Sequence, residues 1–293
     1  NDSVLWIDHD GKPPTLHSAP LSVAHLLRDR LFAEKFAVVT SATLTTSGNF
    51  DSITSALGLD SDKRTEAIDV GSPFDYGQQG ILYVAADLPP PGRDGLDMTS
   101  LDVMGELVEA AGGRTLILCS SWRAVDKAAE YLRVRCDTPV HVQKKGESVS
   151  LLVERFAADR ESTLIGTLSL WQGVDIPGDS CIQVIIDRIP FPRPDDPVMS
   201  ARSARVDESG GSGFQSVTLP RAGLLLAQAS GRLIRTGTDK GVVSVLDSRL
   251  ANSGYGTSLR KSMPPMWFTT DRTTAMSSLQ RLRGESEERE GQG

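Results

Sequence analysis

Gln228, Gly231, Arg232 and Arg235 form the segment best equipped for chemistry. A helix predicted over 220–234 puts the glutamine and the two arginines, spaced i, i+4 and i+7, on one face. Guanidinium groups in fixed register offer bidentate donors to a polyphosphate, and Gly231 lets another element approach closely. A solvated basic face is the plainer alternative, although such faces usually mix lysine and glutamate with their arginines. A second cluster is Gly166-Thr167-Leu168-Ser169-Leu170-Trp171-Gln172-Gly173-Val174-Asp175, which follows a short apolar strand. There Gly166 and Gly173 permit close backbone approach, and Asp175 suits a ribose hydroxyl or a metal-linked water. Alternatively, Trp171 anchors a core and Asp175 closes a turn. A third is Thr40-Ser41-Ala42-Thr43, small hydroxyls that either meet an acidic or phosphate group or satisfy a turn. Working loops of parallel sheets lie at the carboxyl ends of strands, and all three clusters are expected there.

Several common chemistries are missing from the sequence. It contains no G-x-x-x-x-G-K-[ST] loop, no D-E-x-H box after a strand, no G-x-S-x-G elbow and no H-E-x-x-H helix. The chain offers arginines for a γ-phosphate but nothing to hold the β-phosphate and magnesium, which amounts to half of a nucleotide site. Lys and Arg total 31 against 38 Asp and Glu, a net charge of -7. That excludes a polybasic nucleic-acid coat but not a local basic track. Three scattered cysteines, Cys119, Cys136 and Cys181, suggest a reducing compartment without a disulfide framework. His9, His17 and His25 lack the cysteine pair of a zinc site. No apolar run approaches the ~18 residues of a membrane span, and no secretory signal is visible at the N-terminus.

The clusters need elements to position them. Apolar patterning predicts strands at 4–7, 36–40, 68–70 and 81–86, with helices at 22–32, capped by Ser22, and 50–59, ending near Gly58. A Pro/Gly-rich linker follows at 88–95. Beyond it, strands at 114–119, 140–143, 163–166, 181–187 and 241–247 alternate with helices at 99–111, 122–133, 147–157 and 220–234. Short continuous apolar strands between amphipathic helices mean an α/β fold, a mostly parallel sheet sandwiched by helices. In an insert at 189–219, Asp196 is expected to cap a helix opening at Pro197.

In this order the clusters resemble the C-terminal portion of DinG/XPD-type superfamily 2 DNA helicases. Val39-Thr40-Ser41-Ala42-Thr43-Leu44 resembles motif III. Thr115-Leu116-Ile117-Leu118-Cys119-Ser120-Ser121 resembles motif IV, the segment 166–175 motif V, and Gln228-Ala229-Ser230-Gly231-Arg232-Leu233-Ile234-Arg235 motif VI. Gly71-Ser72-Pro73-Phe74, Ile189-Pro190-Phe191-Pro192 and Leu246-Asp247-Ser248-Arg249 are similar to the family too. The likeness runs from about residue 4 to 270.

The resemblance implies a RecA-like P-loop NTPase helicase fold with an incomplete first motor domain. Residues 1–86 would be the C-terminal remnant of motor domain 1, 87–283 motor domain 2, and 284–293 a disordered tail. It implies ATP hydrolysis coupled to 5′→3′ translocation on single-stranded DNA in repair or replication, with the fragment inactive alone. Arg235 would be the arginine finger, Arg232 a second phosphate contact, and Gln228 a positioner of water or phosphate. Gly173, Asp175 and Gly231 would border the nucleotide, and Ser41 and Thr43 would couple its state to DNA movement. Ser120, Ser121, Arg123, Trp171 and Gln172 would hold the DNA strand. ATP and Mg2+ serve the intact enzyme, and any 4Fe-4S cluster lies outside this stretch. The implied partners are single-stranded DNA and the missing N-terminal motor half. The intact protein would be a monomer in the bacterial cytoplasm, at the nucleoid and away from membranes. A non-hydrolysing nucleic-acid-binding RecA-like module and an RNA helicase are the alternatives.

Overall fold

Runs such as Leu116-Ile117-Leu118 and Val184-Ile185-Ile186 need cover on both faces, and the chain supplies it with layered helices. The computed structural model describes residues 3–9, 13–41, 49–60, 64–92, 95–167, 170 and 180–290. Thr43, Trp171, Gln172, Gly173 and Asp175 therefore lie outside the described residues.

The chain opens with β1 (Ser3–Asp8), β2 (Thr15–Pro20), α1 (Ala24–Leu27) with a π-helical continuation (Arg28–Phe32), α2 (Asp51–Leu57) and α3 (Tyr76–Gln79). Next come β3 (Gly80–Val84), α4 (Met98–Ala111), β4 (Thr115–Cys119), α5 (Trp122–Arg135), β5 (Val140–Val142), α6 (Val149–Ala158), β6 (Thr163–Thr167) and β7 (Gln183–Ile186). The last part holds α7 (Pro197–Glu208), a π-helical turn (Phe214–Thr218), α8 (Leu219–Ser230), β8 (Gly241–Val245), α9 (Arg249–Asn252), α10 (Gly256–Ser262), β9 (Trp267–Thr269) and α11 (Arg272–Glu290). Two compact units result, one from Asn1–Gly71 with Phe191–Leu224, the other from Ser72–Pro190 with Leu225–Gly293.

The second unit is built on a seven-stranded sheet in the order β5-β6-β4-β7-β8-β3-β9, every neighbouring pair parallel. Leu107 and Val108 of α4, Val125 and Leu132 of α5, and Ala275 and Leu279 of α11 pack into its core. This is the expected α/β arrangement. Gly113 shows how tightly it is set. Its φ is 78°, and a Cβ there would lie 1.9 Å from the Glu161 carbonyl oxygen.

In the first unit, β1 and β2 form an antiparallel hairpin in which Trp6 pairs with His17 and the rings stack at 5.0 Å. β2 has no apolar alternation and was not expected; β1 supplies its ladder. α2 closes on Gly58 at φ 75°, as the sequence indicated. Asp196 caps α7 by accepting from Val198 N and Met199 N.

Three expectations are corrected. The strands expected at 36–40 and 68–70 are exposed and irregular, because no described strand runs beside them to take their backbone hydrogen bonds. The division expected after residue 86 falls instead after Gly71, since β3 is bound by ladders to β8 and β9. The helix α11 continues to Glu290, where a disordered tail was expected from 284. Its N-terminus is held by Asp271, which accepts from Thr273 N, and its inner face is buried against α4.

Candidate functional site

In the parallel sheet, polar side chains gather at both ends of the strands. At the carboxyl end, β4 stops at Cys119 and Ser120 follows. Its N–H and hydroxyl donate to Asp187 Oδ1 (3.0 Å) and Oδ2 (2.8 Å), just beyond β7. Arg188 Nε stands 3.7 Å from Oδ2. Beyond β8, the fully buried Asp247 accepts from Ile189 N (2.9 Å) and from Arg249 Nε (2.9 Å) and Nη2 (2.7 Å). That hydrogen bonding holds the Arg249 guanidinium above its usual range. At the same end, Gln143 Oε1 accepts from Thr167 N (2.9 Å) and Thr167 Oγ1 (3.2 Å), joining the ends of β5 and β6.

These contacts fix the loop after β4. Ser121 caps α5 by accepting from Ala124 N (3.2 Å), and Arg123 stands exposed in its first turn. Ser120, Ser121 and Arg123 thus stand at one strand end. Ser41 is exposed in an irregular segment of the other unit.

The arginine segment sits elsewhere. α8 ends at Ser230, so Gln228 is helical whereas Arg232 lies in a turn and Arg235 beyond it. The shared helical face expected for these three is not formed. Arg232 N and Leu233 N bond back to Ala229 O and Ser230 O in tight i→i+3 fashion, after which Leu233 and Ile234 turn into the core. Burying those two side chains is what bends the chain out of the helix. A Cβ on Gly231 would face the carbonyl of Ala227, one turn earlier, at 3.2 Å, so this glycine admits no other described element.

The segment runs into the amino end of β8, opposite to Ser120 and contrary to the carboxyl-end placement expected for it. Asp239 Oδ2 accepts from Arg235 N and Thr236 N, both at 2.8 Å, and its Oδ1 accepts from Thr236 Oγ1 at 2.7 Å. Gln79, buried just before β3, donates through Nε2 to Thr236 O and Asp239 O, each at 2.9 Å. The Arg235 backbone is thereby fixed from both sides, with the side chain half-buried. Arg235 also lies near Cys181. Burial pushes that thiol up to about 12, and the charges of Arg114 and Arg235 draw it partly back.

Asp187, Asp247, Gln79, Asp239 and Gln143 did not stand out as site residues in the sequence. For the two aspartates a signal existed: a carboxylate directly after a continuous apolar strand has to be buried and bonded. Burial pushes the Asp187 carboxyl up from 3.8 to about 6, against the hydrogen bonds from Ser120 that favour its charged form. Between these values the folded chain holds a proton that the unfolded chain has released. This group's contribution therefore falls as pH rises through that window and is least favourable above about 6. Asp187→Asn is expected to match the parent protein near about pH 4 and to exceed it by up to about 3 kcal/mol near neutrality. Urea midpoints of both proteins at the two pH values check this; a difference independent of pH would contradict it.

Residues 104–266 match the helicase C-terminal domain family. The ATP-dependent helicase DinG of Mycobacterium tuberculosis is 54% identical over 284 residues, covering 95% of this chain and 43% of the relative. The ATP-dependent DNA helicase YoaA of Escherichia coli is 36% identical over 277 residues, covering 94% and 43%. The chain thus spans less than half the length of either relative. Among solved structures, S. tokodaii Xpd4 superposes with a TM-score of 0.56 at 16% identity over 87% of this chain and 49% of its own, a likeness of fold.

Proposed function

Because the chain belongs to the helicase C-terminal domain family, we propose that it carries the arginine-bearing motor domain of an ATP-dependent DNA helicase. On this reading the protein couples ATP hydrolysis to 5′→3′ translocation on single-stranded DNA in repair or replication, as a monomer in the cytoplasm at the nucleoid. Residues 1–86 then read as the late part of a first motor domain and 87–283 as the second, whereas the compact units divide after Gly71 and group Phe191–Leu224 with the first. The observation that carries the proposal is the Arg235 segment, whose backbone is fixed by Asp239 and Gln79. A guanidinium carried on a backbone that is held in advance meets charge developing on a transferred γ-phosphoryl group without the loop itself having to reorganise.

Arg235 meets that charge, Arg232 adds a second phosphate contact, and Gln228 orients the attacking water. Gly231 closes the helix behind them. Gly173 and Asp175 border the ribose, and Ser41 and Thr43 pass nucleotide state to the DNA track. Ser121 and Arg123, with Trp171 and Gln172, hold the strand, and Ser120, whose N–H and hydroxyl donate to Asp187, fixes the loop that presents them; a net charge of -7 permits this. Guanidinium groups fit phosphate oxygens. Among the described residues, no three His, Cys, Asp or Glu side chains are grouped to hold a metal ion. Magnesium, which offsets phosphate charge in such reactions, is accordingly assigned to a phosphate-cradling partner half, as is any iron–sulfur cluster.

Hydrolysis of ATP with and without single-stranded DNA tests the proposal, comparing this chain with the same chain joined to the coding region upstream of it. The joined protein is expected to turn over ATP with stimulation by DNA, and the 293-residue chain alone to be inert. A joined protein that stays inert with DNA present would overturn the motor reading.

A further inference from the structure

A groove of about 740 Å³ runs between α5 and the segment after β5. Along its α5 wall stand Trp122, Asp126, Glu130 and Arg133, spaced so that one helical face carries them. Lys144 and Lys145 form the opposite wall, both exposed. Lys145 Nζ lies 5.9 Å from the centroid of the Trp122 ring, so one face of the indole is turned towards this cation. The side chains of Arg133 and Lys144 have no ion-pair partner among the described residues, whereas the nearby Arg135 and Arg155 are paired with Glu109 and Glu147. In a chain of net charge -7, an indole beside Lys145, with Lys144 on the same wall and Arg133 about 16 Å further along α5, needs an explanation.

The groove is continuous with the carboxyl end of the sheet. Trp122 directly follows Ser121, the cap of α5. Gln143, which lines the groove, is the side chain that accepts from Thr167 N and Oγ1 at the end of β6. A strand lying on Ser120 and Ser121 therefore reaches Trp122 without leaving the surface.

We infer that this groove is a stacking subsite for single-stranded nucleic acid, an inference that rests on the motor reading above. One base stacks on Trp122 while its flanking phosphates meet Lys144 and Lys145, and Arg133, about 16 Å further along α5, meets a phosphate beyond them. The two carboxylates favour this occupant over an acidic peptide. Asp126 and Glu130 accept from the amino and imino donors of a base edge, donors that the side chains of an acidic peptide lack.

The test is fluorescence anisotropy of the chain with a fluorescein-labelled oligothymidylate of about 20 nucleotides, at several salt concentrations. Trp122→Ala is expected to weaken binding about 10-fold or more, and Trp122→Phe, which keeps a ring, to retain most of the affinity. Lys144→Ala with Lys145→Ala is expected to make the dependence of log K on log salt shallower by about 1.4, roughly 0.7 for each phosphate contact. Thermal midpoints of the variants show whether they are folded. Unchanged affinity and salt dependence in both the Trp122→Ala and the lysine variants overturns the subsite and leaves the motor reading standing. A parent chain that binds no oligonucleotide overturns the subsite, whereas the motor reading falls only if the joined protein stays inert towards ATP with DNA present. If the substitutions abolish binding of labelled oligoglutamate while oligothymidylate is bound as before, the occupant is an acidic peptide and the inference is wrong.

Discussion

Replacing Arg235 by alanine is expected to lower the maximal rate of DNA-stimulated ATP hydrolysis by about 10³-fold or more in protein that carries both motor halves. The size follows from where the charge sits. A guanidinium that meets the γ-phosphoryl group only as charge spreads over it stabilises the transition state more than bound ATP. The loss then falls on kcat, with KM for ATP and the affinity for single-stranded DNA nearly unchanged. Arg235→Lys is expected to recover little, because an ammonium lacks the planar fork that grips two phosphate oxygens. Steady-state kinetics with DNA anisotropy on the same preparations separates these effects. A kcat within about threefold of the parent would remove Arg235 from the catalytic machinery, and a parallel loss of DNA affinity would make it a strand contact. The mesh behind the residue makes the substitution a clean one. Asp239 and Gln79 hold the backbone of the 235–239 segment, not the guanidinium, so truncating the side chain leaves the loop in place.

The second large effect is on stability. Asp247→Ala is expected to cost about 3–5 kcal/mol, because a carboxylate with no exposed side-chain surface is removed from a two-pronged pair with Arg249. The guanidinium loses its two-pronged partner, and Ile189 N loses its acceptor where the chain leaves β7. A loss of that size corresponds to a fall of roughly 10 °C in the unfolding midpoint of a domain of this size. Asp247→Asn keeps an acceptor for Ile189 N but not the charge, and is expected to fall between the two. Calorimetry on the three proteins decides the matter. A loss below about 1 kcal/mol in Asp247→Ala would mean that water reaches Arg249 and that the pair does little for the fold.

Much of this was legible before any coordinates. Continuous apolar runs such as 116–118 and 184–186 announced buried parallel strands, and the amphipathic spacing of α4 and α5 announced their cover. Asp196 before Pro197 and Gly58 after α2 marked helix ends, because capping is decided within a few residues. The motif order around Ser120 and Arg235 was legible for the same reason: residue types and spacing are local properties.

Other features depended on residues distant in sequence. The segment 36–40 reads as a strand, but a strand exists only where a neighbour completes its ladder, and no described strand lies beside it. Residues 220–234 read as a continuous helix, but burial of Leu233 and Ile234 and the pull of Asp239 on Arg235 N end it at Ser230. The arginines consequently enter the amino end of the sheet, while Ser120, Asp187 and Asp247 crown its carboxyl end. Periodicity counts only close neighbours, so it specified which residues could act. Strand order, the bonds from Gln79 to a loop more than 150 residues away and the burial of two aspartates were set by packing, and packing alone determined where those residues stand.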